Sequence, residues 1–195
     1  LILGCLALFP LGAYANQFGS SMTNLLIFAI LALGLNVVVG NTGLLHLGIA
    51  AFFGLGAYTT GILTIGAYPF QTGFYVAATF SMLMAALAGL LLGAPTLRLR
   101  GDYLALVTLG FGEVTRFSLR NLEEITAGTR GLNPIPLPWM PGISTETMVV
   151  DYRPFFYLTL AILTAVVFVL RNLEYSRTGR AWVAIREDEL AASCM

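Results

Sequence analysis

Residues 25–65 read LLIFAILALGLNVVVGNTGLLHLGIAAFFGLGAYTTGILTI and contain no Asp, Glu, Lys or Arg. They belong to a longer uncharged tract that runs from Leu1 to Leu97 and ends at Arg98. The hydrocarbon core of a bilayer is about 30 Å thick and needs about 20 mostly apolar residues per helix, so the tract has room for about four crossings. The stretch Leu25–Val39 also lacks the polar outer face of a helix in a water-soluble protein. We therefore predict an all-α, polytopic membrane protein.

The composition of the whole chain excludes several kinds of chemistry. Of its 195 residues, 57% are apolar and 10% are charged, whereas soluble domains average about 25% charged residues. The ten basic residues are all Arg, so the chain has no Walker A loop, whose Lys contacts nucleotide phosphates, and forms no Schiff base. Cys5 and Cys194 lie at opposite ends and suggest neither a zinc site nor a disulfide framework. We expect no metal, no cofactor and no catalytic site of its own.

Charge and turn residues divide the chain into about six apolar segments of a length suited to membrane spans or their remnants. A short polar break, formed by Asn16, Gln17, Gly19 and Ser20, follows the first of them. The predicted spans are Leu1–Tyr14, Leu25–Val39, Leu44–Ile65, Phe74–Gly93, Tyr103–Leu119 and Phe155–Leu170.

Arginines set the predicted orientation, because positive residues near span ends favour the cytoplasm. Arg98 and Arg100 lie in a short loop, and four more arginines follow residue 170. Both places are therefore expected inside, with an outer segment at about 120–153. We predict a membrane domain over residues 1–170 and a cytoplasmic segment over 171–195. Since the chain begins with Leu1 rather than Met and ends within a promising helix, we expect a fragment whose last segment is truncated.

The stretch from Gly40 to Tyr58 contains five glycines, which disfavour a helix interior. They indicate either close packing of neighbouring helices or a helix interrupted at membrane depth, where freed backbone groups line a cavity or are buried in protein. His46, the only histidine, lies just beyond the break and is either a packing residue or part of a pathway. The candidate residues for the pathway or the helix break are Asn36, Gly40, Gly43, His46, Gly48, Gly54 and Gly56.

Two charges lie within the predicted span Tyr103–Leu119. Glu113 and Arg116 are three residues apart, so they share one helical face. Charges are costly in lipid, and these two should face protein or water. They form either a structural ion pair or part of the control of a polar pathway. Gly110 and Gly112 leave open that this span bends or does not cross fully.

The tail from Gly179 onward mixes apolar and charged residues on one predicted helical face. Trp182 and Ile185 share their arc with Arg186 and Glu189, which is wrong for a helix that lies on lipid. A helix that docks into a partly polar protein groove, or two short helices with a turn, fits this pattern better than a solvated tail.

Three stretches together resemble the permease subunits of high-affinity branched-chain amino acid ABC importers, of the LivM type. They are Gly34–Tyr58 (GLNVVVGNTGLLHLGIAAFFGLGAY), Leu97–Arg116 (LRLRGDYLALVTLGFGEVTR) with Thr126–Leu132 (TAGTRGL), and Gly179–Ala192 (GRAWVAIREDELAA). The resemblance implies an inner-membrane permease in the lipid bilayer with a second permease subunit, two cytoplasmic ATPases and a periplasmic binding protein as partners, and with no nucleic acid. It also implies that the third stretch is the ATPase coupling element. Its candidate residues are Gly179, Arg180, Trp182, Arg186, Glu187, Asp188 and Glu189.

One departure from the family pattern leaves the substrate open. The family commonly has Ser followed three residues later by His or Gln, whereas this chain has His46 and Ile49. Branched-chain or related amino acids, amides and urea all remain candidates. Three other functions also remain open: a secondary transporter that uses Glu113 as a coupling carboxylate, a membrane-embedded enzyme, and a purely structural membrane subunit.

The predicted orientation can be checked by cysteine labelling in a protein from which Cys5 and Cys194 have been removed. A cysteine at position 138 should react with an impermeant reagent added from outside, and a cysteine at position 100 only with reagent from the cytoplasm. Labelling of position 138 from the cytoplasm alone would overturn the topology.

Overall fold

The structure, a computed structural model, describes residues 15–66, 68–96, 102–136, 138 and 152–187. This part of the chain is helical and contains no strand, which confirms the all-α prediction. In chain order the helices are α1 (Ala15–Asn36), a π-helical segment (Val37–Asn41), α2 (Ile49–Thr64), α3 (Phe74–Thr96), α4 (Asp102–Asn121), the short α5 (Glu123–Thr126), a 3-10 turn (Gly128–Arg130), α6 (Arg153–Glu174) and α7 (Arg177–Glu187).

Three stretches of the described chain are long and apolar enough to cross a membrane: Phe18–Asn41, Phe74–Thr96 and Arg153–Glu174. The apolar helix Ile49–Thr64 is shorter. Helix α4 has 20 residues and is about 30 Å long at about 1.5 Å per residue, but it carries Glu113, Arg116 and Arg120. The predicted first span, Leu1–Tyr14, lies outside the described residues. The total of about six spans and the boundary at residue 170 stay predictions.

The predicted polar break at Asn16, Gln17, Gly19 and Ser20 is wrong, because α1 begins at Ala15 and includes all four residues. The first turns of a helix lack intrahelical acceptors for their N–H groups, so uncharged polar residues are tolerated there. Gly19 has a packing role instead. A Cβ at this position would clash with the ring of Tyr152, so glycine allows the ring to lie directly against the helix backbone.

Contacts divide the chain into two compact units, Leu1–Leu44 with Gly142–Met195, and Leu45–Pro141. In the described part of the first unit, α1 packs against α6. The buried core of this pair consists of Leu26, Phe156, Leu160 and Leu163. Phe156 has no exposed surface, and its ring fills the space between the two helices.

In the second unit, α2 packs against both α3 and α4. The hydroxyl groups of Thr60 in α2 and Ser81 in α3 lie 2.5 Å apart and join these helices. One hydroxyl donates to the other, and the accepting hydroxyl donates its own proton to the backbone carbonyl one turn earlier in its helix, Gly56 for Thr60 or Ala77 for Ser81. Polar groups in lipid must find partners within the protein, and these hydroxyls do so without any charged residue.

Helix α3 presents large apolar side chains outward. Met82, Leu83, Leu90 and Leu91 are between 61% and 72% exposed. A surface of this kind is unfavourable in water and is suited to contact with lipid or with apolar helices. The exposure therefore agrees with the membrane assignment made from composition.

We predict that Phe156→Ala destabilises the protein and that Phe168→Ala, on the same helix, does not. Phe156 is fully buried, whereas Phe168 is 66% exposed. The cavity left by Phe156 should lower stability by about 1–3 kcal/mol, less than in a water-soluble core because lipid replaces water as the solvent. Thermal unfolding of the two variants in detergent measures the difference. Equal losses would mean that the α1–α6 core is not formed as described.

Candidate functional site

The chain leaves helical geometry between Asn41 and Ile49. After α1, the π-helical segment Val37–Asn41 widens the helix, and residues 42–48 are not helical. Gly43 has a φ of +71°, a left-handed conformation that glycine adopts readily and other residues adopt with strain. The sequence left open whether the glycines interrupt a helix or allow close packing. Both occur: Gly43 lies in the interruption, and Gly48 allows close packing.

The carbonyl of Val38, at the end of the helix in the first unit, keeps hydrogen-bond partners. Val38 O accepts hydrogen bonds from the Thr42 hydroxyl at 2.5 Å and from the Leu44 backbone N–H at 3.3 Å. Asn36 lies close to this segment, and its Oδ1 would clash with a Cβ at Gly40. Buried backbone polar groups are costly unless they are paired, so these bonds stabilise the end of the helix.

Within the second unit, α4 supports the residues that begin α2. The Leu47 backbone N–H donates to the Thr108 hydroxyl at 3.1 Å, and Thr108 is 1% exposed. Gly48 is buried against the same residue: a Cβ at Gly48 would lie 2.5 Å from the Thr108 carbonyl oxygen. Gly48 is therefore needed for close packing. Thr108 is not among the residues predicted from the sequence; its one signal there is a threonine within an apolar helix.

The other candidates of this stretch have different surroundings. The ring of His46 lies 5.8 Å from that of Phe52, which in turn lies 5.6 Å from that of Phe111 in α4. This aromatic contact favours a packing role for His46. Gly54 lies against Leu119, and a Cβ at Gly56 would meet no atom within 4 Å. A pathway role for any of these residues stays a prediction.

Glu113 and Arg116 line a groove of about 250 Å³ between α2 and α4. Arg116 Nη2 lies 2.9 Å and Nε 3.1 Å from Glu113 Oε2, so the predicted pair is formed. The Arg116 side chain is 65% and the Glu113 side chain 50% exposed. The other residues that line the groove are Leu47, Ala50, Ala51, Gly54, Leu109, Gly112, Thr115 and Leu119.

A second hollow of about 420 Å³ shares Arg116 and Leu119 with this groove. Its remaining lining residues are Tyr58, Arg120, Gly128 and Thr129. Arg116 therefore stands where an apolar groove meets a more polar and basic hollow. Tyr58 and Thr129 are not among the predicted site residues, because their distance from Arg116 along the chain does not show that the three line one hollow.

Helix α7, the described part of the predicted coupling element, begins after a tight turn. The backbone N–H of Gly179 donates to the Ser176 hydroxyl at 3.4 Å, and a Cβ at Gly179 would clash with the Glu174 carbonyl. Serine before a helix is a typical N-cap. The helix is continuous from Arg177 to Glu187, so the alternative of two short helices does not hold within these residues.

The side chains of α7 divide into two groups. Arg186 points back to the helix break, where its Nη1 donates to the Gly40 carbonyl at 3.1 Å. Nearby, Asn41 Nδ2 donates to Glu174 Oε1 at 3.3 Å, which joins the π segment to the end of α6. Trp182 is half-buried, while Val183 and Glu187 are exposed.

Three further candidates belong to the coupling element, and the structure describes one of them, Arg180. Arg180 Nη1 donates to the Tyr175 carbonyl at 3.4 Å, near the start of the helix. Asp188 and Glu189 lie outside the described residues.

The described residues form a helical membrane protein with a broken helix and a groove that contains charges. Its last described helix is bonded to the break. These are features of a membrane transport protein. Comparison with known families identifies it further: the chain belongs to the family of the branched-chain amino acid transport system permease component, whose model matches residues 18–195.

Two curated relatives carry the name high-affinity branched-chain amino acid transport system permease protein LivM. The Escherichia coli (strain K12) protein is 44% identical over 185 residues, which cover 85% of this chain and 43% of the relative. The Salmonella typhimurium (strain LT2) protein is 43% identical over 188 residues, with 87% and 44% coverage. The chain thus spans less than half the length of these relatives. No solved structure matches it significantly.

We predict that Gly48→Ala lowers the yield and thermal stability of the folded protein, whereas Gly56→Ala does not. The methyl group at position 48 meets a backbone carbonyl that cannot move without displacing α4, and overpacking of this kind costs about 1–3 kcal/mol. At position 56 the space is open and alanine favours the helix by up to about 1 kcal/mol. Thermal stability in detergent measures both. A stable Gly48→Ala protein would show that the α2–α4 contact is looser than described.

Proposed function

We propose that the chain is part of the permease subunit of an ATP-driven importer for branched-chain or related amino acids in the inner membrane. The family match and the names of both relatives support this function. The subunit would receive its substrate from a periplasmic binding protein and pair with a second permease. Two separate cytoplasmic ATPase subunits would provide the energy, because this chain has no lysine and hence no Walker A loop.

The observation that carries the coupling part of the proposal is the bond from Arg186 to Gly40. It connects α7 directly to the carbonyl end of the broken helix, within the first unit. A displacement of α7 by a bound ATPase would pull on this carbonyl and on the π-helical segment. Since π segments and freed carbonyls are less firmly bonded than a regular helix, the break is the place where such a displacement is most easily taken up.

The outward surface of α7 is suited to a protein partner. Val183 and Glu187 are exposed and four residues apart, so they share one face of α7. Trp182 is a large, half-buried anchor on the neighbouring face, one turn before Arg186. Interfaces are commonly dominated by a few aromatic anchors with charged residues at the rim. We therefore place the ATPase contact on Trp182, Val183 and Glu187, and the transmission of movement on Arg186.

Import in reconstituted vesicles tests the assignment to this class. A complex of the full-length permease, its sister permease and the ATPases should take up L-leucine only when ATP and the binding protein are present. Uptake driven by a proton gradient with no ATPase bound would support the alternative in which Glu113 is a coupling carboxylate, and would contradict the proposal.

We predict that Arg186→Gln lowers ATP-driven uptake by about tenfold or more, because a charge-assisted hydrogen bond of about 1.5–3 kcal/mol is lost. ATP hydrolysis and ATPase binding should persist. Trp182→Ala and Glu187→Lys should instead release the ATPase. Arg153→Gln, which removes an exposed arginine at the other end of α6, is the matched control and should behave like the unmodified protein. Normal uptake by all three coupling variants would show that α7 is not the coupling element.

A further inference from the structure

We propose that the groove between α2 and α4, with its adjoining hollow, is a binding site for one free aliphatic α-amino acid. In this site Arg116 would hold the carboxylate, Glu113 the ammonium group, and the apolar groove the side chain. The inference rests on the proposed function and adds a recognition site within the permease itself.

The apolar part of the site is formed by small residues on one side and larger ones on the other. Ala50, Ala51 and Gly54 of α2 face Leu109 and Leu119 of α4 across the groove. Gly54 already lies close to Leu119, because a Cβ at Gly54 would be 3.3 Å from Leu119 Cδ1. A groove kept open by such small residues suits an aliphatic side chain, which gains contact area there without needing hydrogen bonds.

The charged part of the site matches the head group of an α-amino acid. Such a head group carries one negative and one positive charge on the same carbon, and the groove offers one of each sign on adjacent turns of α4. The arginine fork binds a carboxylate with two parallel hydrogen bonds, and the Glu113 carboxylate accepts from an ammonium group. Both side chains are at least half exposed, so an incoming ligand reaches them without unfolding α4.

Binding would exchange partners and leave no charge unpaired. When empty, the site satisfies each charge with the other, at 2.9 Å. When occupied, each charge would face its counterpart on the ligand, and the total charge within the site stays zero. This exchange avoids the large penalty of an isolated charge in a region of low dielectric constant.

The adjoining hollow is suited to the first contact with the ligand. Arg116 and Arg120 give it a positive potential, which attracts a carboxylate, and Tyr58 and Thr129 add hydroxyl groups. On the predicted topology, residues 120–153 lie outside, so the hollow would lie on the side from which substrate arrives.

The main competing occupant is an apolar helix from the rest of the permease. Such a helix would fill the groove in all conditions and would leave Glu113 and Arg116 bonded only to each other. A bound amino acid differs from it in two testable ways. The amino acid shields the groove only when it is added. Its binding also requires the negative charge at position 113 and the positive charge at position 116, and not merely one charge of each sign.

Shielding can be measured with the permease–ATPase complex in the absence of the binding protein. With Cys5 and Cys194 replaced by alanine, Ala50→Cys places a thiol in the groove, and Ser118→Cys places one on an exposed surface of α4 as the control. Millimolar L-leucine should slow the reaction of Ala50→Cys with a maleimide at least about threefold, as expected for a site that is mostly occupied. Glycine, 4-methylpentanoate and isopentylamine, which lack the side chain, the ammonium group and the carboxylate, should slow it less. Equal rates with and without L-leucine would overturn the proposal.

The order of the charges can be tested by exchange. Glu113→Gln and Arg116→Gln should each reduce ATP-driven L-leucine uptake by about tenfold or more. The double variant Glu113→Arg with Arg116→Glu keeps an ion pair and should recover thermal stability, yet its uptake should stay as low as that of the single variants. Recovery of uptake by the exchanged pair would show a structural role only and would overturn the proposal. If the exchanged protein does not fold, the shielding pattern decides.

Failure of this inference is distinguishable from failure of the proposed function. Glu124→Gln, an exposed carboxylate outside the groove, serves as the charge control and should take up L-leucine normally. If the unmodified complex shows no ATP-driven uptake, the assignment as an importer fails, whatever the labelling shows. If that complex transports but L-leucine shields no groove thiol, only the recognition site fails.

Discussion

A backbone that leaves the helix frees polar groups that need other partners, and this constraint shapes the surroundings of the break after Asn41. The partners come from outside the helix: a threonine hydroxyl on Val38 O, an arginine of α7 on Gly40 O, and Thr108 of α4 on the Leu47 N–H. Two of these partners, Arg186 and Thr108, belong to elements that are distant in sequence, whereas the threonine on Val38 O is the nearby Thr42. The interruption thus ties α7 to the end of the π-helical segment within the first unit, and it ties α4 to the residues before α2 within the second unit.

The chain carries two kinds of functional feature, and they belong to different units. The bond between Arg186 and Gly40 lies in the first unit, where mechanical input from a partner is proposed. The groove with Glu113 and Arg116 lies in the second, where the ligand is proposed. The peptide between Leu44 and Leu45 joins them covalently.

Sequence reasoning predicted the features that depend on local spacing. The absence of charge predicted the apolar helices, and the three-residue interval predicted the ion pair of Glu113 and Arg116. The run of glycines indicated either a break or close packing and did not decide between them. Sequence reasoning could not assign a separate task to each glycine, because that depends on the neighbouring atoms: a backbone carbonyl at Gly48 and open space at Gly56. For the same reason the helical wheel of α7 showed that its face is mixed but not that Arg186 reaches the break.

The hydroxyl groups of the spans have a mechanical consequence. Thr59, Thr79, Thr96 and Thr164 each donate to a carbonyl one turn earlier in the same helix, so their hydrogen bonds travel with that helix. A helix built in this way can slide along its neighbour without breaking those bonds, and only side-chain interlocking resists the motion. Two contacts are exceptions. The Thr60–Ser81 contact joins α2 to α3, and the bond from the Leu47 N–H to the Thr108 hydroxyl joins the chain before α2 to α4. Both bonds would have to break before α2 could slide along either neighbour, so they resist sliding within this unit.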